Sequence, residues 1–169
     1  MGTGQMLITM GAMILLSIII LSVNQGYLIN SEVMLDSKFD LLAISLAISI
    51  VEDANGLAFD QQTIGGNTVI TESQLSSIGP DTDEYYTTRE ETNYNDFDDY
   101  DGLHIEYNDT TLKSAIYNID CEVGYISDAN PNLFVASKTW YKKLDVTVSS
   151  ESMTDTIRMS TVMSYFYFR

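Results

Sequence analysis

Residues 6–23 read MLITMGAMILLSIIILSV, a stretch without a single charged side chain. As a helix at 1.5 Å per residue it covers about 27 Å, close to the roughly 30 Å hydrocarbon core of a bilayer. Its polar members are Thr9, Ser17 and Ser22, whose hydroxyls can bond back to the helix backbone, and Gly11 permits close approach of another helix. The absence of charge reaches further than the run itself: residues 1–31 carry none, and the first charged residue is Glu32. No basic residue precedes the run, and it is longer than the apolar region of a secretory signal. It therefore reads as an embedded helix rather than a signal peptide.

The residues that follow extend this helix. Asn24 to Asn30 is polar but contains no proline. Beyond it Leu35, Phe39, Leu42, Leu46 and Ile50 recur at spacings of three and four, with Asp36, Asp40, Ser45 and Ser49 between them. The segment AISLAISIV also alternates, as a strand would, but continuity with the preceding period favours helix. Asn55-Gly56 is a stop signal. The expectation is one helix over about residues 5–55, about 75 Å long. Its first half suits lipid or a protein bundle, and its second half is amphipathic.

Past Asn55 the period changes. Thr63-Ile64-Gly65-Gly66-Asn67 marks a turn and Thr68-Val69-Ile70 a short strand. Leu103, Ile105 and Tyr107 alternate with polar residues. So do Tyr117, Ile119, Cys121, Val123 and Tyr125, the clearest strand pattern in the chain. Asp128 to Pro131 reads as a loop, Leu144, Val146 and Val148 as a further strand, and a last strand starts at Ile157. Four strands with short connections predict an antiparallel sheet able to cover one face of the amphipathic helix. The fold class is α+β.

Charge limits the function classes. Eight Lys and Arg against 24 Asp and Glu give a net charge of −16, which disfavours nucleic acid and anionic membrane surfaces as partners. Eleven acidic residues and one basic residue, Arg89, lie between Asp81 and Asp109. Within this acidic, tyrosine-rich stretch, read as a surface loop over 81–102, Asp96, Asp98, Asp99 and Asp101 are the candidate metal ligands. Hard oxygen donors at short spacing are what Ca²⁺ takes, and it is the one cofactor the sequence suggests. The EF-hand pattern is not met, because Phe97 stands at its first position and Asn108 at its twelfth. The alternative is that these carboxylates are solvated or cap turns.

Other motifs carry less. Tyr107, Tyr117 and Tyr125 fall in core registers, and Trp140 reads as a core residue. Cys121, the single cysteine, shares a face with Ile119 and Val123 and reads as a small buried hydrophobe. His104 lies on the polar register. Asn108-Asp109-Thr110 matches a glycosylation sequon. With one histidine, one cysteine and no Gly-rich phosphate loop, the chain is not expected to be an enzyme.

Several of these features together resemble the type IV pilin superfamily. Gly4-Gln5-Met6-Leu7-Ile8-Thr9 is similar to the glycine and F-T-L-I-E pattern that opens the apolar helix of bacterial prepilins. The run Tyr94-Asn95-Asp96-Phe97-Asp98-Asp99-Tyr100-Asp101-Gly102 resembles an F-D-D-V-D-D-F-N-G motif of minor pilin-like heads. The ending WYKKLDVTV…DTIRMSTVMS looks like their last two strands. The resemblance implies a filament subunit assembled with copies of itself. It would be held in the inner membrane beforehand by a helix with a cytoplasmic N-terminus, and handled by a pilus assembly machine that leaves the head outside the cell.

Under that resemblance, residues 1–31 are the membrane or filament-core segment, 32–55 its amphipathic continuation and 56–169 a β-rich extracellular head. Gly4, Gln5 and Thr9 occupy the processing and assembly positions. Pilins usually place a glutamate fifth in the mature chain. Here that position is Thr9 if cleavage follows Gly4, or Gln5 if Met1 is the first residue, so the pairing with a neighbouring N-terminus has no charge to use. A basic residue before the cleavage glycine is also missing, since Thr3 stands there. The runner-up is a membrane-anchored accessory protein, either a minor pseudopilin of a secretion system or a single-pass protein with a ligand-binding head.

Overall fold

The computed structural model describes residues 2–88, 91–108 and 115–166. They fall into two compact units, residues 1–38 and 39–169. A single helix, α1 (Thr3–Asn55), matches the predicted span closely. It contains no proline and no cluster of β-branched residues strong enough to interrupt the i to i−4 ladder.

In the first unit α1 is apolar on all sides. Ile18, Ile19, Ile20 and Leu21 follow one another around the axis in steps of about 100° and all stand more than half exposed. Thr9 Oγ1 donates to the Met6 carbonyl at 3.0 Å and Ser17 Oγ to that of Met13 at 2.9 Å, as expected for hydroxyls on an apolar helix. This stretch is long and apolar enough to cross a membrane.

In the second unit the remainder of α1 has one buried stripe, and it is not centred where the large residues predict. Ala43, Ala47, Ile50 and Ala54 are buried, whereas Phe39, Leu42 and Leu46 are only partly so and flank them. Small side chains let the helix lie close over a sheet, and the bulkier neighbours then fill the margins. The helix stops at Asn55 as expected. Gly56 shares its N–H between the carbonyls of Glu52 (3.2 Å) and Asp53 (3.1 Å).

The sheet has five antiparallel strands where four are predicted: β1 (His104–Asn108), β2 (Ile116–Ser127), β3 (Asn130–Phe134), β4 (Tyr141–Ser149) and β5 (Ile157–Ser164). Their order is β1-β2-β4-β5, with β3 paired to the end of β2. The unexpected strand is β3, formed partly from the residues read as a loop. All five of its side chains are exposed, so no hydrophobic alternation announces it. Pro131 sits within it, which an edge strand tolerates.

The β2–β4 register sets Ile119 opposite Val148, Cys121 opposite Val146, Val123 opposite Leu144 and Tyr125 opposite Lys142. All eight side chains are buried, and the hydrophobic ones join Ala43, Ala47, Ile50 and Ala54 in one core. Three local expectations are corrected. Tyr107 is 36% exposed rather than packed, because β1 is an outer strand of the sheet. Residues 68–70 are not a strand. Val69 is instead pinned by Tyr165, whose hydroxyl donates to the Val69 carbonyl at 2.7 Å and accepts from its N–H at 2.8 Å. The acidic stretch is exposed over much of residues 81–88 and 91–93 but not beyond, since residues 96–100 are buried.

Candidate functional site

The Asp-rich run folds as a 3₁₀ turn, Phe97–Tyr100, capped by Asp96. Asp96 Oδ1 accepts from the Asp98 N–H at 3.0 Å, and Asp99 Oδ2 accepts from the N–H groups of Asn95 (2.8 Å) and Asp96 (3.0 Å). These are the orphan donors that open any helical turn, and short acidic side chains reach them best. Asp101 Oδ1 accepts from the Val123 N–H at 2.8 Å, tying the end of the turn to β2. Gly102, at φ 74°, then lets the chain reverse into β1.

Phe97, Asp96, Asp98 and Asp99 are no more than 2% exposed, so this is an inward-facing acidic turn rather than a solvated one. The reason is Lys142, whose side chain is fully buried beneath it. The Lys142 ammonium donates to Asp98 Oδ1, to Asp60 Oδ2 at 2.8 Å and to the Phe59 carbonyl at 3.0 Å. It also lies over the rings of Phe59 and Tyr125, at 4.8 and 5.2 Å from their centroids. All three of its protons are thus used, and the aromatic faces add cation–π attraction.

Asp60 is the other half of the cluster. Its carboxylate accepts from the Gln62 N–H (3.0 Å), the Ser76 N–H (3.0 Å), Ser76 Oγ (2.8 Å) and the Tyr125 hydroxyl (3.4 Å), besides Lys142. Burial by itself would raise its pKa. The Lys142 charge and the hydrogen bonds from Lys142, Gln62 and Ser76 outweigh that and hold Asp60 below the usual carboxylate range.

The opposite holds across the cluster. Burial pushes Asp96 up to about 9, and the neighbouring Asp98 carboxylate adds to the shift. Asp96 is therefore a neutral acid at physiological pH, hydrogen-bonded to Asp98 as the donor. Asp98 is raised by its own burial against the lowering pull of Lys142. The result is one firm anion, one buried ammonium, and a pair of carboxyls sharing a proton.

Four candidate ligands are thus placed by the structure, but not around a common point. Asp96, Asp98 and Asp99 turn inward on Lys142, on backbone N–H groups of the turn and on one another, and Asp101 faces β2. Among the described residues no group of three or more His, Cys, Asp or Glu side chains is gathered as a metal ion would need. The positive charge beside Asp98 is supplied by Lys142.

Sequence reading passed over Lys142 and Asp60. A signal for Lys142 exists: the alternation of Leu144, Val146 and Val148, continued two residues back, lands on Lys142. Asp60 has only the weaker sign of a capping box with Thr63, whose Oγ1 accepts from the Asp60 N–H at 3.1 Å.

The remaining candidates separate from this cluster. Gly4, Gln5 and Thr9 lie exposed on the first turns of α1. Cys121 is buried in the core, and burial pushes its thiol up to about 12, which leaves it inert. His104 is exposed, with Nδ1 2.6 Å from Asp120 Oδ1. Trp140 is half-buried and stacks beside Tyr165 at 4.8 Å, while Tyr86, Tyr94 and Tyr100 form a second aromatic group with centroids 5.3–6.4 Å apart. Asn108 of the sequon ends β1 and is exposed. Asp109 and Thr110 lie outside the described residues, as does Arg89.

No protein-family model matches the chain, and no curated protein or solved structure is significantly similar to it.

Proposed function

We propose that this chain is a structural subunit of a type IV pilus-like filament, built through its N-terminal helix. The observation that carries the reading is the all-round apolar surface of residues 6–23, in a helix that continues unbroken to Asn55 beneath an antiparallel sheet. An apolar helix with no polar face requires apolar surroundings on every side. A bilayer supplies them for a single subunit, and neighbouring helices supply them in a filament. At about 25 cal/mol per Å² removed from water, such helices associate strongly without a covalent bond between subunits.

Two further features support this reading. The amphipathic half of α1 is used by the sheet, which leaves the apolar half for other partners. Thr9 and Gln5 also place no charge in the first turns, so packing these helices together buries no carboxylate. Copies would meet through unlike surfaces, which keeps an assembly open-ended. The inner membrane is the proposed holding place before assembly, and the exposed acidic unit would face outside.

Electron microscopy of material sheared from cells expressing the chain tests this. Thin fibres with this chain as their main component are the expected result. Recovery solely from detergent-solubilised membrane, with no fibres, would overturn it in favour of a membrane-anchored accessory protein.

A further inference from the structure

The cluster around Lys142 holds more than a buried ion pair needs. A primary amine, a carboxyl it touches, a neutral acid bonded to that carboxyl and a firm anion bonded to the amine all lie within hydrogen-bond reach, closed off from water. We propose that the Lys142 amine and the Asp98 carboxyl condense inside the folded chain to an amide, a covalent cross-link between β4 and the Asp-rich turn. The proposal is independent of the filament reading, since it concerns only residues 39–169.

The geometry assigns each part. Lys142 Nζ contacts Asp98 Oδ1 and is fixed on its other side by Asp60 Oδ2 at 2.8 Å and the Phe59 carbonyl at 3.0 Å. Such positioning converts a bimolecular reaction into an internal one, for which effective concentrations are very large. Both side chains are no more than 1% exposed, so neither amine nor carboxylate keeps the hydration that favours the charged forms in water. Proton transfer along the Lys142–Asp98 hydrogen bond gives the neutral amine and neutral acid that react. The Phe59 and Tyr125 rings pack around the amine and keep the site apolar.

Asp98 rather than Asp60 is the electrophile. Asp60 accepts from Gln62, Ser76 and Tyr125 besides Lys142, and is thereby held as an anion, which resists attack, while its Oδ2, 2.8 Å from Nζ, is in place to take the proton that the attacking nitrogen sheds. Asp98 instead receives a hydrogen bond from the neutral Asp96, which withdraws charge from its carboxyl carbon.

In the reaction, Lys142 Nζ attacks Asp98 Cγ and the N–C bond forms. Asp60 takes a proton from the nitrogen. Asp96 gives its proton to the departing hydroxyl, the C–O bond breaks, and one water leaves. The released water carries the proton from Asp60 back to Asp96, so both acids are regenerated. No oxidant or cofactor is needed. The link would close a segment whose ends are 44 positions apart, in a chain whose single cysteine permits no internal disulfide.

Mass spectrometry of the denatured full-length chain, purified in detergent, tests the proposal. The expected result is a mass one water below that of the uncondensed polypeptide, with a branched proteolytic peptide joining Lys142 to Asp98. An unreduced mass, or a water loss mapped elsewhere such as Asp101-Gly102, would overturn it. Asp96→Asn preserves the hydrogen bond to Asp98 but cannot give up a proton. This variant is expected to fold, to keep its full mass, and to melt roughly 10 °C lower for want of the cross-link. A folded Asp96→Asn chain that still loses the water at full yield would overturn the role given to Asp96.

Discussion

Asp60 Oδ2 lies 2.8 Å from Lys142 Nζ with both side chains fully buried, and this contact joins the segment after α1 to the start of β4. A buried pair of this kind contributes little if compared with two apolar residues of the same shape. It costs a great deal when only one partner is removed, because the remaining charge has no water to turn to. Lys142→Met, which removes both the ammonium and the amine that the cross-link needs, is therefore expected to destabilise residues 39–169 by at least about 3–5 kcal/mol, as Asp60 and Asp98 are left facing each other. Urea unfolding followed by Trp140 fluorescence measures it. Lys142→Met combined with Asp60→Asn should recover part of the loss, and a double variant no better than the single one would contradict the pairing.

Asp96 and Asp60 predict opposite responses to pH. The folded-state pKa of Asp96 is raised from 3.8 to about 9, so the native chain holds a proton that the unfolded chain releases above pH 3.8. Its contribution is full below that value and declines as pH rises toward 9. Asp60 is shifted down, so its contribution is present above pH 3.8 and is lost as pH falls through the lowered folded value. Stability measured against pH should therefore fall on the alkaline side as well as in acid. Asp96→Asn should flatten the alkaline limb and leave the acid limb in place.

Gly124 makes a separate prediction. A Cβ there would come within 2.6 Å of the Phe134 ring, which lies across β2 from β3. Gly124→Ala should push Phe134 off the strand and loosen β3, at a cost of about 1–2 kcal/mol. Hydrogen exchange should show the loss of protection confined to residues near 126–134. Uniform loss across the sheet would refute the local account.

A charge placed in the apolar run tests the role of the helix without touching the head. Ile14→Lys puts a cation where every neighbour should be apolar, costing about 3 kcal/mol at a helix centre in a bilayer. Filament yield is expected to fall at least tenfold while the melting temperature of residues 39–169 stays unchanged. Undiminished fibres would mean that Ile14 faces water in the assembly.

Much of the fold was legible because periodicity reports burial directly. Eighteen uncharged residues followed by a three-and-four spacing imposed α1, and strict alternation imposed β2 and β4. The alternation failed for β3, which buries nothing, and for Tyr107, whose register says which face it takes but not whether anything covers that face. The stripe of α1 was misplaced by reading size as burial, when the closest approach belongs to Ala43, Ala47 and Ala54.

The Asp-rich run shows the division most clearly. Sequence by itself determined that residues 96–101 are dense in carboxylates, and that the helix before them is apolar and long enough to cross a bilayer. Only tertiary structure decided that the turn faces inward. That outcome depends on Lys142 reaching it from β4 and on Asp60 meeting the same ammonium, contacts between residues 44 and 82 positions apart. Local spacing carries no information about such a meeting. A buried carboxylate is stable only where a distant partner supplies charge and hydrogen bonds, and the fold is what brings that partner within reach.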